Sequence, residues 1–241
     1  MSGQILLFAL LGGVLPALLW LWFWLKEDRV RPEPRGLILL SFIAGMITVA
    51  FVIPLERAAE FLSIKAAATL AFVSAETTTV LAWATIEEVS KYIVGVLVVL
   101  KRKANDEPID AIIYMITIAL GFAALENTLF LLDPLGSGDL PGSILTGNLR
   151  FLGATLLHTL SSGVVGAAMA FSFYKSGLVK KLYVSLGLLL AIVLHSVFNF
   201  IIIVTNGEKL LAALLFVWAG IVLLILLFEK VKRIKNPTFF S

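Results

Sequence analysis

Seven apolar segments, each of about 20 residues or more, dominate the sequence. A helix needs about 20 mostly apolar residues to cross a bilayer, so each segment qualifies as a membrane span. They lie near residues 3–25, 36–54, 80–100, 109–132, 149–174, 182–205 and 209–228. The first segment is too long for a cleaved signal peptide and lacks its basic start. The pattern predicts an all-α, polytopic transmembrane helical bundle in which residues 1–241 form a single integral membrane domain.

Composition agrees with a membrane protein and excludes several other classes. Hydrophobic residues make up 60% of the chain and charged residues 15%, with a mean hydropathy of +1.01. Soluble domains carry about 25% charged residues, and disordered chains are less hydrophobic still. Cysteine is absent, which excludes disulfides, thiolate zinc sites and a cysteine nucleophile. No Walker, glycine-rich dinucleotide or aromatic-basic motif is present, so we expect neither a nucleotide nor a nucleic-acid partner.

The basic residues predict an orientation. Fourteen Lys and Arg residues fall in alternate connections, within 26–35, 101–103, 175–181 and 230–235. The other connections hold only four, namely Arg57, Lys65, Arg150 and Lys209. Because positive charge is retained on the cytoplasmic side, this asymmetry predicts an outside N-terminus and a cytoplasmic C-terminus.

The segment 55–79 is harder to assign. Charged residues interrupt it at intervals that forbid an independent span. It fits an amphipathic helix at the outer interface, a partly re-entrant segment or an ordinary outer loop. We therefore predict seven spans, with eight as the alternative.

Ionisable and amide side chains occur inside four of the predicted spans. Each charge at the bilayer centre costs about 2.5–3.5 kcal/mol, so each needs a reason. At about 1.5 Å per residue they share one layer in the outer half of the membrane, ~9 to ~16 Å deep. Unrelated structural polar residues would have no cause to share a depth. The set comprises Glu87, Glu88, Lys91, Glu126, Asn127, His158, His195 and Asn199.

Two hydrolytic chemistries fit this layer. In the first, Glu126, His158 and His195 hold a zinc ion with an open position, and Glu87 is the general base. In the second, which is metal-free, Glu87 with a histidine activates water, while His195 and Asn199 stabilise an oxyanion. Both mechanisms require the same residues, so the sequence leaves them open.

Structural explanations exist for single members of the set. A membrane His or Asn commonly serves as a hydrogen bond between helices. Glu88 and Lys91, three residues apart on a helix, form a pair that neutralises itself, and we favour that role for Glu88. These explanations do not account for the joint placement of the other groups.

Four motifs, in order along residues 80–205, resemble the PrsW family of intramembrane proteases, which belongs with the CAAX-processing and bacteriocin-processing (CPBP) membrane proteases. The motifs are Glu87-Glu88-Val-Ser-Lys91, Phe122-Ala-Ala-Leu-Glu126-Asn127, His158, and His195-Ser-Val-Phe-Asn199. This chain differs from the CAAX-processing pattern in two places. Lys91 stands three residues after the second Glu, where that pattern has an Arg four residues after it. The Phe-x-x-x motif ends in Glu126 rather than His. Both departures fit the PrsW branch.

The resemblance implies a multi-spanning peptidase that cuts a membrane-associated protein or peptide, such as an anti-sigma factor, on the outer side of a bacterial or archaeal cell membrane. It implies that Glu87 activates water and that Lys91 holds Glu88. It also implies that His195 and Asn199 stabilise the oxyanion.

Two other classes of function compete with the protease. A proton- or cation-coupled transporter would also use buried Glu and His residues, although no inverted repeat or broken pair of spans is evident. A catalytically idle membrane scaffold would need none of them.

Overall fold

A computed structural model of the chain describes residues 2–28, 31–69, 74–205 and 207–235. This part of the chain is all-helical. The α-helices in chain order are α1 (Gly3–Leu25), α2 (Arg35–Thr69), α3 (Ala75–Gly95), α4 (Pro108–Gly136), α5 (Leu140–Leu149), α6 (Thr155–Phe171), α7 (Gly177–Val204) and α8 (Leu210–Val231). A π-helical turn at Val96–Leu100 extends α3, and another at Arg150–Ala154 joins α5 to α6.

Six helical segments of the described chain are long and apolar enough to cross a membrane, which confirms the all-α polytopic bundle. They are Gly3–Leu25, Arg35–Thr69, Pro108–Gly136, Leu140–Phe171, Gly177–Val204 and Leu210–Val231. The predicted third span, α3, is not among them because it carries Glu76, Glu87, Glu88 and Lys91. It nevertheless packs against α2 and α7 inside the bundle. The orientation of the termini stays a prediction.

Helix α4 is the centre of the bundle. It packs against α1, α2 and α6, and its residues 108–128 are buried apart from half-buried Leu125 and Glu126. A helix that is apolar on every side is stable only when other helices surround it or when lipid does. The peripheral helices α1, α7 and α8 instead expose large apolar side chains such as Phe8, Leu189 and Leu223, as a lipid-facing surface requires.

Helix α2 resolves part of the uncertain segment 55–79. It runs for 35 residues without interruption through Pro54, so residues 55–69 are its second half. At about 1.5 Å per residue the helix is ~52 Å long and exceeds the ~30 Å hydrocarbon core. Residues 70–73 lie outside the described residues. The second half of α2 thus extends beyond the length of a simple span, and its residue Glu56 lines the cavity described below.

Two glycines let α2 and α4 approach closely. A Cβ atom on Gly45 would overlap the carbonyl oxygen of Ile118, and one on Gly121 would overlap the carbonyl oxygen of Phe42. Small residues at helix crossings allow this backbone contact within membranes. The crossing fixes the position of α2 beside the part of α4 that leads to Glu126.

Candidate active site

A cavity of about 650 Å³ lies between α2, α3, α4, the α5–α6 turn, α6 and α7. Its wall is made of apolar side chains and a cluster of polar side chains, which is the usual lining of a ligand-binding or active site. The polar and ionisable lining residues are Glu56, Glu87, Glu126, Asp133, Arg150, His158, His195 and Asn199.

Helix α3 supplies two buried carboxylates and the ammonium group that compensates them. The Nζ atom of Lys91 lies 2.7 Å from Oε1 of Glu88 and 3.3 Å from Oε2 of Glu87. Spacings of three and four residues place all three side chains along one side of the helix. Lys91 and Glu88 are fully buried, so this pairing is a condition for keeping the charges inside the bundle.

Glu88 joins three helices. It accepts hydrogen bonds from Lys91 Nζ and, at 3.1 Å, from Ser162 Oγ on α6. Its Oε1 atom also lies 2.8 Å from Nδ1 of His195 on α7. A carboxylate only accepts hydrogen bonds, so Nδ1 of His195 carries the proton. In neutral His195 the lone pair is therefore on Nε2, which lies 3.9 Å from Oε1 of Glu87.

His158 is held between Lys91 and Glu126. Its Nδ1 atom lies 2.9 Å from Lys91 Nζ, and its Nε2 atom lies 2.9 Å from Oε2 of Glu126. The ring of Phe122 lies beside it, with centroids 5.3 Å apart, and also 4.4 Å from the Lys91 ammonium. The rings of His158 and His195 are 5.1 Å apart. The two histidines of the chain are thus direct neighbours in the cavity wall.

Arg150 completes the polar network, although its place in the sequence predicts only an outside charge. Its Nη2 atom donates to Oε2 of Glu126 at 2.5 Å, and its Nε atom donates to Oδ1 of Asn127 at 2.5 Å. Asn127 in turn donates to Oγ1 of Thr155 at 2.9 Å. Arg150 precedes His158 across a π-helical turn, and no spacing in the sequence marks it as a partner of Glu126, which lies 24 residues earlier.

Glu56 is a second residue of the cavity that sequence reasoning missed. It lies in the second half of α2 and lines the cavity, and its carbonyl oxygen accepts a hydrogen bond from Nε1 of Trp83 at 3.1 Å. Nothing in the sequence could have singled it out, because the segment 55–79 had no assigned structure.

The structure brings the sequence-predicted residues to one place. A continuous set of contacts joins Glu87, Glu88, Lys91, Glu126, His158 and His195. Asn199 and Phe122 line the same cavity, and Asn127 bonds to Arg150 behind it. The functional roles of these residues stay predictions.

The donors present suit a metal ion. One ligand atom from each of Glu87, Glu88, His158 and His195 lies within 4.8 Å of the others, and all four residues are buried. Imidazole nitrogen and carboxylate oxygen are typical zinc ligands. Oε2 of Glu87 is buried and, apart from its 3.3 Å ion pair with Lys91, has no hydrogen-bond partner among the described residues. Glu126, a ligand in the sequence-based set, lies outside this group on the Nε2 side of His158.

Comparisons with known proteins identify the family. The sequence model described as "PrsW family intramembrane metalloprotease" matches residues 33–227. Protease PrsW of Geobacillus kaustophilus is 28% identical over 197 residues, covering 80% of this chain and 78% of the relative. Protease PrsW of Clostridioides difficile is 24% identical over 208 residues, with coverages of 85% and 83%. Protease PrsW of Bacillus subtilis is 24% identical over 215 residues, with coverages of 88% and 92%.

No solved structure matches the chain significantly. The family and its relatives agree with the expected membrane-embedded peptidase, and not with the transporter or the scaffold. Together with the apolar helices, they make the chain an integral membrane protease. The chain belongs to the PrsW family of intramembrane metalloproteases.

Proposed function

We propose that the protein hydrolyses a peptide bond of a membrane-associated protein within the cavity, and that Glu87 activates the attacking water. The observation that carries this proposal is the environment of the Glu87 carboxylate. It lines the cavity. Its Oε2 atom is buried, ion-paired with Lys91 at 3.3 Å and 3.6 Å from Nδ1 of His158, and its Oε1 atom lies 3.9 Å from Nε2 of His195. A general base needs a carboxylate oxygen within reach of the water, and Oε1 is the oxygen that we assign to this role.

The proton balance of the reaction follows from this placement. Glu87 removes a proton from water as the water oxygen attacks the carbonyl carbon of the scissile bond. When the tetrahedral intermediate collapses, the C–N bond breaks and Glu87 returns the proton to the leaving amine. The Lys91 ammonium, 3.3 Å away, lies close enough to stabilise the ionised form of Glu87 before the attack.

Asn199 is the proposed oxyanion donor. It lies one helical turn after His195 and lines the same cavity. Neutral His195 donates to Glu88 through Nδ1, so its Nε2 atom has no proton to offer an oxyanion. This tautomer supports a ligand role for His195 over the oxyanion role that the resemblance implied.

The metal of this family would be held by Nε2 of His195, by His158 and by one of the neighbouring carboxylates, of which Glu126 is the one predicted from the sequence. His158 would bind only after the hydrogen bond from Lys91 to its Nδ1 atom is released, because Nδ1 accepts from Lys91 and Nε2 donates to Glu126. Zinc is the ion that this donor chemistry favours. When bound, such an ion supplies a Lewis acid that polarises a carbonyl and promotes ionisation of water. Behind these residues, Glu88 orients the imidazole of His195 and Arg150 orients Glu126.

The proposed substrate is a membrane protein or a membrane-bound peptide, with anti-sigma factors as the class implied by the resemblance. The cavity would open in the outer half of a bacterial or archaeal cell membrane, as the charge asymmetry of the connections predicts. We also propose that this family belongs with the CPBP membrane proteases.

The test compares Glu87→Gln with Glu76→Gln in proteoliposomes. Single-span membrane proteins are screened until one is cut by the wild type, and product formation is then followed for each variant. Loss of the base lowers general-base catalysis about 10²–10⁴-fold, so Glu87→Gln should form almost no product. Glu76 is an exposed carboxylate on the same helix, and its variant should cleave like wild type. Wild-type cleavage by a folded Glu87→Gln protein would refute the proposal.

A further inference from the structure

Three carboxylates that the proposed reaction does not use meet at the other end of α4. Asp28 and Glu33 lie in the connection between α1 and α2, and Asp110 lies in the first turn of α4. One carboxylate oxygen from each residue lies within 4.8 Å of the others. Glu126 is 16 residues further along α4, or ~24 Å away, so this cluster is separate from the cavity.

The protein satisfies these carboxylates only in part. Oδ2 of Asp110 accepts hydrogen bonds from the backbone N–H groups of Asp106 and Glu107, at 2.8 and 2.7 Å. Glu33 accepts a hydrogen bond from the hydroxyl of Tyr114.

Asp28 is the exception. Only 5% of its surface is exposed. Its carboxyl group accepts hydrogen bonds from the backbone of Arg31 and Glu33, but its Oδ2 atom is buried without a hydrogen-bond partner among the described residues. A buried anionic oxygen without a partner is strongly unfavourable, so a positive species is expected beside it.

Two basic side chains near this cluster bond to other carboxylates. Arg31 pairs with Glu107 at 2.8 Å. Lys232 pairs with Glu27 at 2.6 Å and with Glu229 at 2.7 Å. Burial raises the pKa of both the Asp28 and the Glu33 carboxyl groups, and Glu33 and Asp110 share a side-chain hydrogen bond. Both features are expected where carboxylates gather without sufficient compensating charge.

A separate cavity of about 280 Å³ adjoins the cluster. Asp28, Glu33 and Arg35 form its polar part, and apolar side chains of α1 and α2 form the rest. This volume can admit the water molecules that complete the coordination of a small cation.

We propose that Asp28, Glu33 and Asp110 bind a hard divalent cation, Mg²⁺ or Ca²⁺. A donor set made only of oxygen atoms favours these ions, whereas the imidazole-containing active site favours zinc. The bound ion would tie the α1–α2 connection to the start of the central helix α4. By the predicted orientation, this site faces the cytoplasm, across the membrane from the cavity.

The test is titration calorimetry of the full-length protein in detergent after removal of divalent ions with EDTA. MgCl₂ and CaCl₂ are titrated separately at constant ionic strength. We expect saturable binding of one ion per chain for at least one of the two salts. Binding to the folded state alone also raises the unfolding temperature as the ion concentration rises.

Asp28→Asn is the informative variant because it keeps the size of the side chain and removes the charge. It should weaken ion binding about tenfold or more, since affinity depends on the number of charged ligands. Glu60→Gln, which neutralises an exposed carboxylate in the second half of α2, is the matched control and should bind like wild type. Glu33→Gln replaces Asp28→Asn if the latter fails to fold. Repetition in the His195→Ala background separates this site from the active site, and binding there should be unchanged.

Two results would overturn the proposal. The first is no saturable binding of either ion. The second is wild-type affinity in both Asp28→Asn and Glu33→Gln.

Discussion

The ammonium group of Lys91 lies 2.9 Å from Nδ1 of His158. An ammonium group only donates hydrogen bonds, so Nδ1 must accept and the His158 proton resides on Nε2. That N–H then points at Oε2 of Glu126, 2.9 Å away. One buried lysine therefore fixes the tautomer of a histidine on another helix and the direction in which it donates.

Lys91→Met should destabilise the protein strongly. The substitution keeps an unbranched apolar stem but leaves Glu87 and Glu88 buried without their nearest cation. Breaking a buried pair by removing one partner costs about 3–5 kcal/mol. Thermal unfolding in detergent, followed by tryptophan fluorescence, measures the effect. Lys65→Met is the control because Lys65 is exposed, and an unfolding temperature equal in both variants would contradict the compensating role of Lys91.

Arg150→Gln should lower turnover more than substrate binding. Arg150 bonds to Glu126 and Asn127, and Glu126 orients His158, so Arg150 is a positioning residue. Loss of such an outer partner typically costs about 10–100-fold in activity. We expect kcat to fall while KM changes little.

Arg150→Lys should restore only part of the rate. A single ammonium group lacks the planar set of donors with which the guanidinium bonds to Glu126 and Asn127 together. Arg57→Gln, which removes an exposed charge from α2, serves as the control and should retain wild-type kinetics. An unchanged kcat in a folded Arg150→Gln protein would exclude the positioning role.

Local sequence patterns predicted the helices and most of the candidate site, but not the contacts between residues that are distant in the sequence. Apolar runs identified the helices, and helical spacing together with span depth grouped Glu87, His158 and His195. The predicted second span ended near residue 54, yet α2 continues through Pro54 to Thr69 because proline removes only one backbone donor from a helix that packing supports. The contact of Arg150 with Glu126 joins residues 24 apart, and no local pattern encodes it.

A helix also precedes the fifth predicted span. The structure has helix from Leu140, whereas the predicted span begins near residue 149. The preceding stretch contains Pro134, Gly138, Pro141 and Gly142, a composition typical of loops. In the structure, Pro134 lies in α4 and Gly138 in the turn after it. Asp139 accepts a hydrogen bond from the backbone N–H of Gly142 and caps α5, so Pro141 and Gly142 lie in the first turn of that helix.

Metal content should depend on His195. Purified protein washed with a weak chelator and measured by elemental mass spectrometry should contain close to one zinc per chain, and His195→Ala should lose it. The variants Glu126→Gln and Glu88→Gln then show which carboxylate is the third ligand. Glu126 is the ligand predicted from the sequence, and Glu88 belongs to the group of ligand atoms within 4.8 Å of one another. Equal zinc in wild type and His195→Ala would refute the ligand role of His195. An active preparation without metal would favour the metal-free mechanism based on Glu87.

Gly121→Ala should destabilise the bundle, whereas Gly36→Ala should not. A Cβ atom at Gly121 overlaps the backbone carbonyl of Phe42, so α2 and α4 must separate to admit it. Overpacking of this kind costs about 1–3 kcal/mol. A Cβ atom at Gly36, in the first turn of α2, meets nothing within 4 Å, and alanine there should be neutral or stabilising by up to about 1 kcal/mol.

The two glycine variants are compared by their unfolding temperatures and by their cleavage rates below those temperatures. Because Glu56 on α2 and Glu126 on α4 both line the cavity, a shift of α2 should reduce cleavage even in folded Gly121→Ala protein. A Gly121→Ala protein as stable and as active as Gly36→Ala would mean that close contact at this crossing is not required.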